Sequence, residues 1–280
     1  MTRLTTGSRR PHNLSLNEAG SIHDDATAND LGFRAGTVAG DIHLEQFGGL
    51  CVRAFGEGWF ERGWISMQFL QPTAHREPVD AFLEGDGDVR DAGLDTPEGT
   101  QIARGNAGVG DVSLSALSQK DRRGVDPSTL RMLRDVRPGR PTDPRTRRPN
   151  AADQRRRIGA GISTDPLEWY RESSPWGGAI ATPLTTCQLL VAGVTDSIAA
   201  SCGEFVGLYG AIEVVHLTGP VMLDAEYEIT GEVLDIADSP KTEVLWFRTR
   251  AVETARPERG PVAEVTMMTR LLKASSPRWA

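Results

Sequence analysis

Long apolar runs are missing from this chain, and so are most of the patterns that announce a chemistry. No stretch reaches the roughly 18 apolar residues a membrane helix needs, and MTRLTTGSRRPHNLSLN carries charge with no apolar segment behind it. Neither a membrane span nor a signal peptide is expected, and a cytoplasmic location follows from that reading. Cysteine is scarce: Cys51, Cys187 and Cys202 are odd in number, far apart and set among apolar residues, which fits reduced core thiols better than a disulfide frame or a zinc site. There is no Gly-x-Ser-x-Gly, no Walker loop and no Rossmann fingerprint, so serine-hydrolase, nucleotide-hydrolase and dehydrogenase readings have nothing to rest on. His43-Leu44-Glu45 imitates the His-x-Glu of zinc deaminases, but no Pro-Cys-x-x-Cys follows it. The run Asp86-Gly87-Asp88-Val89-Arg90-Asp91 puts Arg90 at a ligand position of a calcium loop and lacks that loop's glycine, so it reads as an acidic hairpin. No metal and no cofactor is called for.

What is present is a globular composition: 280 residues, 39% apolar and 25% charged, long enough for two domains. The net charge of −7 is unevenly spread. Between Lys120 and Arg157 stand 13 Lys+Arg against 5 Asp, so this block carries +8 and the rest of the chain −15. Its run RPGRPTDPRTRRPNAADQRRR has almost no apolar residues and predicts a solvated linker or long loop. It lacks the interleaved aromatics that stack bases, and the acidic remainder would repel a polyanion, which argues against nucleic acid as a partner. Anionic CoA or an acyl-carrier protein is a different kind of partner that a basic tunnel mouth would attract.

On either side of this block the same parts occur in the same order. GFRAGTVAGD leads into the apolar segment DIHLEQFGGLCVRAF and the alternating WISMQFL, which ends at Gln71-Pro72; SPWGGAIATP leads into LTTCQLLVAGVTDSIAASC and a strand around IEVVHLT, which ends at Gly219-Pro220. Gly40 to Pro72 is 32 positions and Thr182 to Pro220 is 38. This is an internal repeat with one short insertion. Both helices read as buried: Ile42, Phe47, Leu50, Cys51 and Ala54 with Gly48 and Gly49 in the first, and Leu184, Leu189, Leu190, Val191, Val194 and Ile198 in the second. Strands follow each, with Ile65, Met67 and Phe69 at period two and Tyr227 and Ile229 opposed to Glu226 and Glu228, as in a sheet with one wet face. Each half is therefore one long central helix plus an antiparallel sheet, an α+β fold. The boundaries expected are 1–119 for the first unit, 120–160 for the linker and 161–280 for the second.

That arrangement, present twice, resembles the double hotdog of MaoC-type enoyl-thioester hydratases and dehydratases. GSIHDDATA, then Gly32-Phe33, then VAGD is similar to that family's hydratase motif, in which an Asp, an Asn-Pro and a His precede an Ala, a Gly-Phe and a glycine that opens the hotdog helix. The resemblance assigns His23 to the catalytic histidine and Gly40 to the glycine whose N–H holds the thioester oxygen. Its aspartate position falls on Glu18, while Gly20-Ser21 replaces Asn-Pro; Asp25 is the alternative carboxylate, and Asp24 or Asp25 could equally cap the helix of ATANDLGF. Asp41 and His43 follow Gly40 on the same helix start and join it as candidate oxyanion or substrate-binding residues, as do Trp169 and Trp176 before the second helix. No histidine stands between Asp165 and Thr185, so the second half would support structure or acyl binding.

The activity implied is hydration of a 2-enoyl thioester, or its reverse, on CoA or an acyl-carrier protein. A histidine near neutral pKa and a carboxylate would move the protons, and a helix N-terminus would hold the enolate oxygen. A hotdog thioesterase or polyketide-type cyclase is the first alternative, and a non-catalytic acyl-binding subunit the second. Exposed sheet edges make a homodimer a possible assembly.

Overall fold

The computed structural model describes residues 2–192 and 194–280. Its strands are β1 (Arg3–Arg9), β2 (Gly63–Phe69), β3 (Val79–Glu84), β4 (Val89–Asp95), β5 (Gln101–Val109), β6 (Arg145–Arg147), β7 (Gly207–His216), β8 (Tyr227–Asp238), β9 (Thr242–Glu253) and β10 (Pro261–Leu272). They make one antiparallel sheet in the order β1-β3-β4-β5-β2-β7-β10-β9-β8-β6. Counted inward from each edge, the two sets of five follow the same sequence, so the sheet is one unit repeated and fused through its innermost strands. Across that seam Trp64 faces Val215 and Gln68 faces Ala211. Two sheets were expected; backbone pairing of β2 with β7 makes them one.

The helices are α1 (Asp25–Asp30), α2 (Gly40–Leu44), α3 (Gly48–Phe55), α4 (Gly58–Arg62), α5 (Ala151–Gly159), α6 (Pro183–Val191) and α7 (Val194–Cys202). The single long helix expected in each half is divided in both: residues 45–47 turn between α2 and α3, and α6 ends before α7. Apolar periodicity alone does not register such a break, because both pieces bury against the same sheet face. Ile42, Leu50, Cys51, Leu184, Leu190 and Ile198 are buried as expected, and the side chain of Val194 lies outside the described residues. All three cysteines are free and buried. Tyr227 and Ile229 are buried and Glu226 and Glu228 exposed, while the acidic run 86–88 turns between β3 and β4. One core cluster takes residues from both halves. No described helix is long and apolar enough to cross a membrane.

The stretch 120–160 is solvated only in part, which corrects the linker expectation. Leu130, Met132, Leu133 and Val136 enter the common core, and the buried Glu243 carboxylate accepts the N–H groups of Arg131 (2.8 Å) and Leu133 (2.7 Å). Four apolar residues among many arginines are few by composition, yet one buried carboxylate is enough to tie their backbone down. Farther on, β6 supplies the outermost strand of the second unit. From α5, buried Gln154 donates to the carbonyls of Tyr170 (2.8 Å) and Ile180 (2.9 Å) and accepts the Thr182 N–H (2.9 Å).

Candidate active site

A cavity of about 620 Å³ opens where the first unit's loop 20–39 meets the second unit's α7 and the start of β7. His23, Thr37, Gly40, His43 and Phe69 line one side; Ile198, Cys202, Phe205, Tyr209 and Phe247 line the other. The site therefore belongs to both halves, although its polar groups come mainly from the first.

His23 is held by backbone geometry on every side. Thr37 N–H donates to the Ile22 carbonyl (3.0 Å), Asn13 Nδ2 donates to the His23 carbonyl (2.8 Å), and a Cβ on Gly36 would overlap that same carbonyl oxygen. The His23 Nδ1 lies 2.6 Å from the Thr37 carbonyl oxygen. A carbonyl only accepts, so Nδ1 carries the proton and Nε2 keeps the free lone pair of a ring that lines the cavity. Such a nitrogen can take a proton from a bound molecule.

Gly40 opens α2, whose N-cap, Ala39, offers no side-chain acceptor. Among the described residues the Gly40 N–H has no hydrogen-bond partner, and a Cβ there would overlap the Phe69 ring, so glycine keeps the helix start open to the cavity. Next to it Asp41 is buried, and that burial raises its carboxyl to about 6 against the opposing pull of the Ile42 N–H and of His23. Asp41 itself does not line the cavity: it lies behind Gly40, with Oδ1 accepting the Ile42 N–H at 3.0 Å. His43 is buried with Nε2 2.8 Å from Thr73 Oγ1; burial lowers its pKa to about 4, so it stands in the cavity wall as a neutral ring.

The other candidates are elsewhere. Glu18 is exposed in a turn and does not line the cavity, and Asp25 is exposed with its carboxylate accepting the Gly36 N–H (2.7 Å). Asp24 takes the helix-capping role, accepting from Thr27 N–H (3.0 Å) and Thr27 Oγ1 (2.9 Å). The reason is local: without Asn-Pro, the Ser15 carbonyl accepts the Glu18 N–H and the Glu18 carbonyl accepts the Ser21 N–H, a turn that leaves the Glu18 side chain in solvent. The buried carboxylate that senses His23 is Asp41, eighteen positions further on.

Trp169 and Trp176 do not line the cavity either. They pack edge to face at 5.6 Å, each 5.9 Å from Phe60, beside Tyr170 and His216. Because β2 and β7 run antiparallel across the seam, this cluster, at the start of β2 and the end of β7, is the counterpart of the cavity at the end of β2 and the start of β7. Aromatic rings fill the place where the repeat would put a second site. Asn13, Gly36 and Thr37 were absent from the sequence candidates; the glycine-rich approach signalled tight backbone contact, but not that Gly36 would abut the His23 carbonyl and Gly40 the Phe69 ring.

No family model matches the chain, and no curated protein matches it. Its fold does match solved structures. A MaoC-like dehydratase aligns at TM-score 0.57 and 11% identity, over 96% of this chain and 97% of that one. A MaoC domain protein dehydratase from Chloroflexus aurantiacus aligns at 0.61 and 12%, over 97% and 94%. A double hotdog protein of Mycobacterium tuberculosis, essential for bacterial survival during infection, aligns at 0.59 and 13%, over 96% and 95%. Over nearly its full length the chain has the double hotdog fold found in MaoC-like dehydratases.

Proposed function

We propose that the protein is an enoyl-thioester hydratase or dehydratase whose chemistry is carried by His23, Asp41 and Gly40. The observation that carries this reading is the fixed Nδ1–H of His23 on the Thr37 carbonyl, in a cavity that also presents the Gly40 N–H, which has no partner among the described residues. In the dehydrating direction the thioester oxygen accepts from Gly40, which favours the developing enolate over the ground state. His23 Nε2 takes the proton from C2 while the C2–H electron pair forms the C2=C3 bond. Asp41, buried behind Gly40 and outside the cavity lining, supplies through bound water the proton with which the C3 oxygen leaves as water. The proton on His23 then returns to Asp41 through that water, and hydration runs the same steps backwards. Apolar Ile198, Leu245 and Phe247 at the far side suit a hydrocarbon acyl chain.

Incubation with crotonyl-CoA and a longer 2-enoyl-CoA, following enoyl absorbance and free thiol together, tests the reading. Loss of enoyl absorbance without thiol is the expected result. Thiol release assigns the cavity to hydrolysis instead, and no change with either substrate overturns the enzymatic reading.

A further inference from the structure

The rim of the cavity holds two cations that the proposed chemistry does not use. β2 and β7 part company beyond Gln68 and Ala211, and through this gap the cavity reaches the opposite face of the sheet. Gln68 and Arg270 line it there. Lys120, brought in by the segment that crosses that face, donates from Nζ to Gln68 Oε1 at 2.6 Å. A Cβ on Gly210 would approach Arg270 Nε to 2.9 Å, so glycine leaves the guanidinium its room beside the opening.

Both side chains are half-buried, and among the described residues neither forms an ion pair. Several other cations on or beside this sheet are matched, Arg248 with Glu232 and Glu264, Arg250 with Glu264, Lys273 with Asp238 and Arg104 with Asp95, while Arg90, Arg145 and Arg147 form no ion pair among the described residues. Partial burial, and then Arg270 itself, lowers the Lys120 pKa, as expected where like charges meet with no counter-ion.

We propose that Lys120, Gln68 and Arg270 form an anion-binding subsite on the cavity rim that takes the phosphate of the pantetheine arm bearing the acyl thioester. The inference rests on reading the cavity as an acyl-thioester site. The two ends then divide the ligand by chemistry: hydrocarbon inward against Ile198, Leu245 and Phe247, phosphate outward against a lysine and an arginine. Gln68 orients the ammonium and leaves its remaining N–H groups for the anion.

Direct binding of unreactive thioethers tests this without requiring turnover. S-hexyl-pantetheine and S-hexyl-4′-phosphopantetheine differ only in the phosphate, and S-hexyl-CoA and a carrier protein bearing the S-hexylated arm report which source of phosphate is accepted. The phosphorylated arm is expected to bind at least about ten-fold tighter at low salt, since charge-assisted contacts of this kind are each worth about that factor. The difference should shrink with salt, vanish in K120Q/R270Q and persist in K120R/R270K. Equal binding of the two arms, or a difference that survives K120Q/R270Q, overturns the subsite while leaving the acyl-thioester reading in place. Failure of S-hexyl-pantetheine and its phosphorylated form to bind overturns both.

Discussion

The two halves use the same backbone device to enter their central helices and finish it differently. In the first, Thr37 bridges Ala74 and Val38 N–H donates to Thr73 (2.9 Å); in the second, Ile180 bridges Met222 and Ala181 N–H donates to Val221 (2.8 Å). Two residues later the first half has Gly40 after an uncapped Ala39, and the second has Pro183 after Thr182, whose hydroxyl accepts the Thr185 N–H (3.1 Å). Proline has no N–H and threonine takes up one of those that remain, so the second helix start is chemically closed. The spaces beside them follow suit, one an open cavity and the other filled by Phe60, Trp169, Tyr170 and Trp176. Of the two copies, one keeps an open cavity beside its helix start and the other fills the corresponding space.

The largest effect should come from the ring that has no counterpart in the second half. His23→Ala removes the ring nitrogen held by the Thr37 carbonyl and should lower turnover of an enoyl thioester by about 10³-fold or more, with little change in thermal midpoint. Steady-state kinetics on the variant checks this; retained turnover would move the chemistry away from His23. Gly40→Val attacks the other distinction between the helix starts. Its side chain would collide with the Phe69 ring and crowd the cavity, so activity should fall by roughly 10²-fold. Conversely, Thr182→Ala in the second half should cost stability on the order of 1 kcal/mol and leave kcat unchanged. A kcat loss in Thr182→Ala equal to that in Gly40→Val would erase the division of labour.

How much of this could be read from residues alone depends on the range of the interaction. The repeat, the buried helices and the alternating strands are local patterns, and they gave the double hotdog. The fusion of the sheets through Trp64 and Val215 pairs residues far apart in the chain, which no periodicity records. His23 and Gly40 were chosen by a motif, and both line the cavity; Glu18 and Asp25 were chosen by spacing, and a turn at Ser15–Ser21 together with the Gly36 N–H draws both to the surface. Asp41 passed as a helix-start acid, since burial and proximity to His23 arise only after folding. Trp169 and Trp176 were expected near ligand because aromatic residues suit both a tunnel and a plug; their partner Phe60 decides for the plug.

That plug can be broken without touching the cavity. Phe60 is 1% exposed at the centre of the ring cluster, and Phe60→Ala should destabilise the fold by about 3–5 kcal/mol through lost burial and the hole left behind. Urea unfolding measures the loss, and the kcat of the folded fraction should be retained. A variant that stays stable but loses kcat would make the aromatic cluster part of the working site rather than its filled twin.

The halves also differ in how pH acts on their stability. Asp41 and Glu45 are buried on the first helix, where burial raises their carboxyls to about 6 and about 7; the aligned positions of the second helix, Leu184 and Gln188, do not titrate. In the unfolded chain both acids ionise near their ordinary values of 3.8 and 4.5. Between those values and the raised ones the folded state binds more protons than the unfolded state, so stability is full below the lower limits and falls as pH rises. The loss should be on the order of 3 kcal/mol per group, complete above the raised values, and Asp41→Asn with Glu45→Gln should flatten it. Unfolding free energies between about pH 4 and pH 8 decide the sign. Stability that instead climbs with pH would mean that the attraction of Arg157 and the hydroxyls of Ser163 and Thr182 outweigh burial, and that the first half holds its acids as anions.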